Sequence, residues 1–113
     1  MPSKRNPLNL NPLQLRTLTL LQELSRLGDY SRPGEEPGSI VVPPPDPHGD
    51  HFHVGEAVVA ARDASGLRNP AVWVALERKG LLRSMYPHGG VLTPLGLDYE
   101  TGMLEEILHR TGH

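Results

Sequence analysis

The sequence predicts an α+β fold, mainly helical, in which two helices joined by a short turn precede a β-hairpin. Two Asn-Pro pairs, Asn11-Pro12 and Asn69-Pro70, are typical helix starts, because Asn caps a helix and Pro fits its first position. After the second pair, Pro87-His88-Gly89-Gly90 separates two strand-like runs and has the composition of a hairpin loop. With one Phe, one Trp and three Tyr, the core must consist mainly of Leu, Val and Ala, which favours helices over a β-sandwich.

Composition limits the classes of protein to which this chain can belong. Its 113 residues suit one domain, and the absence of cysteine excludes disulfides and thiolate metal sites. No stretch approaches the roughly 20 apolar residues of a membrane span, and the first leucines are too interrupted for a signal peptide. We therefore expect a cytoplasmic protein with no membrane partner. The chain has no Gly-rich phosphate loop, nucleophile elbow or HExxH motif, so we do not expect an enzyme.

The N-terminal part predicts an arm followed by one long helix. Residues 1–10 are polar and contain two prolines, which is typical of a flexible arm, and residues 11–113 form the single domain. The first helix should run to about Leu27 and stop at Gly28. Its leucines cover more than the one face that a small core requires. The helix either lies deep in its own domain or contributes surface to a second subunit.

The segment 28–50 predicts a connector without a helix. It holds six of the twelve prolines and four of the twelve glycines, and these residues interrupt helices. Within it, residues 39–42 have the composition of a short strand, and the three prolines that follow favour an extended chain. The alternating residues 51–54 predict either another short strand or the approach to a helix.

The second half predicts a pair of helices joined by a turn. We expect one helix over 56–64, broken at Gly66, and a second over 71–79 that ends at Gly80. Two helices with a short glycine-containing turn between them form a helix-turn-helix arrangement. Within the second helix, Trp73 is expected to anchor the core, the alternative being an exposed aromatic at an interface.

Two strands and a last helix complete the predicted domain. The strands run from Leu81 to Tyr86 and from Val91 to Pro94, and the last helix covers Gly102 to Arg110. A hairpin placed directly after a helix-turn-helix is the arrangement called a wing.

Two phrases in this region resemble a known family. Leu76-Glu77-Arg78-Lys79-Gly80-Leu81-Leu82-Arg83, followed after a loop by Leu92-Thr93-Pro94-Leu95-Gly96, is similar to winged-helix regulators of the MarR and PadR type. The resemblance covers about residues 54–100. It implies a winged helix-turn-helix, here with an added N-terminal helix and a short C-terminal helix. It also implies a transcriptional regulator that binds double-stranded DNA as a homodimer.

The candidate DNA-binding residues lie around the second helix of the pair. The net charge of the chain is −2, but residues 57–86 are locally basic. The segment 71–75 offers no side chain that pairs with base edges, so the expected contacts are mainly to phosphates, with a possible contribution from Lys4 and Arg5 of the arm. The candidates are Arg68, Asn69, Arg78, Lys79 and Arg83.

Two alternatives to DNA binding follow from the same sequence. The first is a winged helix that serves only as a protein-interaction or oligomerisation module, for which Val72, Trp73 and Val74 would form an exposed patch or a dimer contact. The second is a metal-binding protein that holds Zn or Ni through His48, His51 and His53, since alternate residues of a strand point to the same side. Apart from that possible metal, no cofactor is expected.

Overall fold

A computed structural model of the chain describes residues 6–28, 30–43, 51–54, 57–104 and 109–110. Within these residues the chain is an α+β fold with three α-helices, one 3-10 helix and two antiparallel sheets, a main sheet of four strands and a smaller one of three. In chain order the elements are α1 (Pro12–Ser25), β1 (Arg32–Pro33), β2 (Ile40–Val42), β3 (His51–Val54), β4 (Ala57–Ala60), the 3-10 helix (Ala61–Arg68), α2 (Pro70–Arg78), β5 (Leu82–Ser84), β6 (Gly90–Leu92), α3 (Pro94–Asp98) and β7 (His109–Arg110).

Helix α1 begins where the sequence predicts and lies in the centre of the core. The Asn11 side chain accepts a hydrogen bond from the Gln14 backbone N–H at 2.8 Å, and the Gln14 side chain accepts one from the Asn11 N–H at 3.0 Å. This reciprocal capping box satisfies two donors at the helix start. The side chains of Leu18, Leu21 and Leu24 are buried, and the helix ends at Ser25, two residues before the predicted end.

Residues 6–10, which the sequence assigns to a flexible arm, pack onto the domain. Leu10 is buried in the core, and the Asn6 side chain bonds both backbone groups of Leu10 at 2.9 Å. A leucine in the core outweighs the polar composition of its neighbours. Residues 1–5 of the predicted arm, including Lys4 and Arg5, lie outside the described residues.

The predicted connector contributes two strands to the main sheet, whose order is β1-β2-β6-β5. The predicted strand at 39–42 is confirmed as β2, while β1 was not predicted. On the inner face, Leu92 pairs with Ile40 on one side and with Leu82 on the other. Pro33 lies on the edge strand β1, where the missing N–H of a proline is tolerated.

The predicted helix over 56–64 is wrong in its first half. Residues 57–60 form β4, which pairs with the predicted strand β3 and, on its other side, with β7. Val58 and Val59 are β-branched and suit a strand, and Val59 is fully buried. The helical segment begins only at Ala61 and is a 3-10 helix that runs through Gly66 to Arg68.

The hairpin that follows α2 has the predicted position. The chain turns at Gly80, whose φ of 77° is the left-handed conformation that glycine adopts easily, and returns to the core at Leu81. Strands β5 and β6 then pair antiparallel around the loop 85–89.

The end of the chain differs from the prediction. A short helix, α3, begins at Pro94 because Thr93 caps it, with its hydroxyl accepting from the Gly96 N–H at 3.0 Å. Of the predicted helix from Gly102 to Arg110, residues 105–108 lie outside the described residues. His109 and Arg110 are not helical but form β7, which pairs with β4, since β4 offers an open edge there.

Candidate interaction surfaces around helix α2

Helix α2 turns one face to the core and the opposite face to solvent. Val72, Trp73 and Leu76 are buried beneath it. Its solvent face is apolar over the first turns and charged only near its end. The exposed residues are Pro70, Ala71, Val74, Glu77 and Arg78.

Trp73 is a core residue. It is 3% exposed, its indole N–H donates to the Leu67 carbonyl at 3.1 Å, and its ring lies 5.9 Å from that of Tyr86 at a tilt of 57°. The exposed patch predicted from Val72, Trp73 and Val74 is therefore wrong for the first two residues. Only Val74, which is 49% exposed, lies on the outside.

Two candidate DNA-binding residues lie at the start of α2. The Asn69 side-chain oxygen accepts a hydrogen bond from the Ala71 N–H at 3.0 Å, so it caps the helix. Arg68 is exposed, and its backbone carbonyl accepts from the Tyr86 hydroxyl at 3.0 Å. That bond ties the loop of the hairpin to the turn before α2.

Two further candidates lie at the other end of α2. Arg78 is exposed in the last turn. The Lys79 ammonium donates to the Leu8 carbonyl at 2.6 Å and so fastens the N-terminal segment to the domain. The two ends of the helix are separated by about 14 Å at a rise of 1.5 Å per residue.

Arg83 lies on a different surface. It is exposed in the middle of β5, between the buried Leu82 and the half-buried Ser84. Its side chain projects from the outer face of the sheet, because neighbouring residues of a strand point to opposite faces. The five predicted residues thus form no single cluster: two lie before α2, two at its end, and Arg83 on the sheet.

The outer face of the sheet carries a groove that the sequence did not predict. We call it the outer groove. It encloses about 470 Å³. Its floor is a row of directly paired residues, one from each strand, with an arginine at each end and two valines between. The row is Arg32, Val41, Val91 and Arg83.

Carboxylates also border the outer groove. Glu77 of α2 lines it near β5, and Glu35 and Glu36 line it from the turn between β1 and β2. Within the described part of the chain, neither Arg32 nor Arg83 forms an ion pair or side-chain hydrogen bond. Both guanidinium groups therefore keep their donors for a ligand.

The sequence predicts strands that form this groove, but not the pairing of all four that makes its floor. Val41 lies within residues 39–42, whose composition predicts a short strand. The pairing of Val41 with Val91 joins residues fifty positions apart, and spacing along the chain does not reveal such a pairing.

The side chains of the predicted histidine cluster lie outside the part of the chain that the structure describes. His48 lies outside the described residues, while His51 and His53 are on β3, where only the backbone is described. Among described residues, no group of three or more His, Cys, Asp or Glu is placed to hold a metal ion.

In comparisons with known proteins, no family model, curated protein or solved structure matches this chain. No helix among the described residues is both long enough and apolar enough to cross a membrane.

Proposed function

We propose that this chain is a winged-helix protein that acts as a protein-interaction and oligomerisation module. The order of elements supports the fold. The 3-10 helix and α2, separated by Asn69 alone, stand in the helix-turn-helix position, and the hairpin of β5 and β6 follows as the wing. Strand β2, which precedes the helix pair, completes the wing sheet beside β6.

The observation that carries the function is the solvent face of α2. A recognition helix reads bases with polar side chains in its first turns, where Arg, Lys, Asn or Gln form paired hydrogen bonds to base edges. Here the exposed residues of those turns are Pro70, Ala71 and Val74. They offer no hydrogen-bond donor to a base, and they offer apolar surface to a protein.

The partner that we propose for this face is a second copy of the chain. In an antiparallel pair about a two-fold axis, Val74 of one helix meets Val74 of the other, since it lies at the middle of α2. The charged end of each α2 helix, which carries Glu77 and Arg78, then lies over the uncharged start of the other helix. Leu95 of α3 is 52% exposed and lies close to Gly80, just beyond the end of α2, and we include it in the proposed contact.

A stable interface needs more buried surface area than α2 alone can supply. A stable interface buries about 800 Å² per partner, and a helix of nine residues supplies only part of that area. Leu95 and the surface around it are therefore part of the proposed contact.

The mass of the protein in solution tests this proposal. Sedimentation equilibrium at about 100 μM, well above micromolar dissociation constants, should give a dimer for the natural chain. Val74→Asp should give a monomer, because it places a charge at the centre of the contact. Met85→Asp is the matched control: Met85 is 42% exposed but lies by the outer groove, so its variant should remain dimeric. A natural chain that is monomeric at this concentration rules out the homodimer.

DNA binding is the second candidate, and the exposed arginines favour it. Arg68 and Arg78 lie on the surface at opposite ends of α2 and can reach two phosphates, while Arg83 adds a third contact only from the wing. Such a protein binds duplex DNA with little sequence preference and acts as a transcriptional regulator only through a partner or a bent site.

Fluorescence anisotropy with a labelled duplex tests the second candidate. Between about 50 and 200 mM salt, the logarithm of the association constant should fall with a slope of about −3 for three neutralised phosphates. Arg68→Gln or Arg78→Gln should reduce that slope by about one. Val74→Asp should abolish the homodimer and also weaken DNA binding, because it adds a negative charge to the face of α2 that both complexes use. Arg83→Gln, which lies on the sheet, should weaken DNA binding alone. Absence of duplex binding at the low-salt end removes this candidate.

A further inference from the structure

The outer groove has a regular arrangement of charge and apolar surface. Its floor crosses all four strands in one register, so the two arginines at its ends are three strand spacings apart. At about 4.8 Å per spacing, their Cα atoms are separated by about 14 Å. The two valines between them are half-buried, which leaves part of each exposed on the floor.

The spacing of the arginines matches an extended peptide. In an extended chain, residues i, i+2 and i+4 point to the same side, and i and i+4 are about 13 Å apart. Acidic residues at i and i+4 would meet Arg32 and Arg83, and an aliphatic residue at i+2 would lie on Val41 and Val91. Arginine binds carboxylates through two parallel N–H groups, which suits this recognition.

The three carboxylates of the groove outnumber its two arginines and oppose an acidic ligand, so binding depends on close pairing of each ligand carboxylate with an arginine. Glu77 lies near the Arg83 end and Glu35 and Glu36 near the Arg32 end, and none of them forms an ion pair within the described residues. They repel an acidic peptide and therefore reduce its affinity. They also select against a peptide whose acidic residues do not align with the arginines.

We propose that the outer groove binds an extended segment of a partner protein with the pattern acidic–x–aliphatic–x–acidic. Glu77 is the one residue of α2 that lines this groove, and its other lining residues lie on the sheet and its turns, so the proposal does not depend on the homodimer. The arginines bind the two carboxylates, the valines contact the aliphatic side chain, and Glu77 weakens binding.

The probe is a fluorescently labelled peptide, acetyl-Gly-Glu-Thr-Leu-Thr-Glu-Gly-amide, and the readout is anisotropy. Two peptides serve as controls, one with both Glu replaced by Gln and one with the Leu exchanged with a neighbouring Thr. The first should bind at least tenfold more weakly, and the second more weakly than the probe, because its aliphatic side chain points away from the valines.

Protein variants locate the probe in the groove. Arg32→Gln and Arg83→Gln should each weaken binding about fivefold, as expected for exposed ion pairs, and Glu77→Gln should strengthen it. Arg26→Gln, at the exposed C-cap of α1 outside the groove, should leave the affinity unchanged. Far-UV circular dichroism confirms that each variant is folded.

Three results would overturn the proposal. The first is a natural chain that does not distinguish the Glu probe from its Gln counterpart. The second is binding that Arg83→Gln and Arg32→Gln leave intact. The third is full displacement by a straight-chain dicarboxylic acid of similar span at the same concentration, which would show that the groove reads two charges and not a peptide.

Discussion

At the scale of single residues, two glycines allow a closer approach than any side chain would permit. Gly66 brings the 3-10 helix close to α1, and Gly96 brings α3 close to Leu81 at the start of the hairpin. A Cβ atom at Gly66 would collide with the Thr17 hydroxyl of α1, and one at Gly96 would collide with the Leu81 carbonyl. Gly66 therefore lets the 3-10 helix lie directly on α1. A sequence pattern marks such a glycine as a break, whereas here it is a site of close contact.

The first prediction concerns Gly66→Ala. The added methyl group forces the 3-10 helix away from α1, and the free energy of unfolding should fall by about 1–3 kcal/mol, as in other overpacked cores. Urea denaturation followed by circular dichroism measures the change. Gly28→Ala is the matched control, because a Cβ atom there meets nothing within 4 Å, and it should leave stability within about 0.5 kcal/mol. Equal stability of the two variants would show that the contact is not tight.

Gln22 is a buried polar residue that joins α1 to the chain around α3. Its side-chain NH₂ donates to the Gly96 carbonyl at 2.8 Å and to the Tyr99 carbonyl at 2.7 Å. Among the described residues, no buried side-chain polar atom lacks a partner. The network is thus complete, and removal of one member leaves others unsatisfied.

The second prediction is that Gln22→Leu destabilises the protein by about 2–4 kcal/mol, since two buried carbonyls lose their donor. Gln22→Glu should be similarly harmful, because a carboxylate supplies no donor to the two carbonyls at neutral pH. Thermal unfolding measures both variants. A Gln22→Leu variant as stable as the natural chain would mean that water replaces the amide.

At the scale of elements, the start of α2 carries a residue, Asn69, that has a structural role as helix cap and a predicted role in DNA contact. Asn69 holds the first turn through its side-chain oxygen, and this role needs no ligand. The sequence also assigned Asn69 to DNA. Capping and DNA contact make different demands on the residue, so two substitutions distinguish them.

The third prediction compares Asn69→Ala with Asn69→Asp. Asn69→Ala should cost about 1 kcal/mol of stability through loss of the cap, whereas Asn69→Asp keeps the cap and the stability. If Asn69 contacts phosphate, Asn69→Asp should nevertheless weaken duplex binding, because it adds a negative charge there. Chemical denaturation and the anisotropy titration together separate the two roles; equal stability of the two variants would contradict the capping role.

The N-terminal segment is held by two side chains from distant parts of the chain. Lys79 donates to the Leu8 carbonyl, and the Tyr99 hydroxyl accepts from the Leu8 N–H at 3.1 Å while donating to the Asn6 side chain at 2.6 Å. Both backbone groups of Leu8 are therefore satisfied by side chains. Among the described contacts, this bond to Leu8 is the one that the Lys79 side chain makes, while its backbone N–H caps the end of α2.

The fourth prediction is that Lys79→Met loosens residues 6–10 without unfolding the domain. Amide hydrogen exchange should accelerate at Leu8 and Leu10, while exchange in α1 stays slow, because local opening requires less free energy than global unfolding. Arg78→Met, one residue earlier and exposed, is the control and should leave the exchange at Leu8 unchanged. Uniform acceleration across the chain would instead place Lys79 in the global core.

The elements that the sequence predicted are those with local signals. The Asn-Pro starts of α1 and α2, and the glycine-rich hairpin loop, depend on neighbouring residues, and these predictions are confirmed. The strand at 57–60 was missed because a run of Ala and Val suits a helix as well as a strand, and its pairing with β3 and β7 decides between them. The outer groove was missed for the same reason: its four floor residues come together only through pairing across the sheet.

At the scale of the whole molecule, one core connects α1, the helix pair and the main sheet. Trp73 lies where these parts meet, with Leu67 of the 3-10 helix accepting its indole N–H and Tyr86 of the hairpin against its ring. It is also the only tryptophan in the chain. Its fluorescence therefore reports on the packing of the helix pair against the hairpin, whereas far-UV circular dichroism reports mainly on the helices, and α1 is the longest of them among the described residues.

The fifth prediction is that the two signals change together. If one core supports the molecule, urea should unfold it in a single transition with the same midpoint by tryptophan fluorescence and by circular dichroism, as is usual for domains under about 150 residues. Tyr86→Phe removes the hydrogen bond to the Arg68 carbonyl and should lower the free energy of unfolding by roughly 1 kcal/mol. The urea midpoints measured by the two signals should therefore fall by the same amount. Should fluorescence change at lower urea than circular dichroism, the hairpin and helix pair would form a unit that unfolds before α1. A partner bound at α2 or in the outer groove would then stabilise that unit selectively.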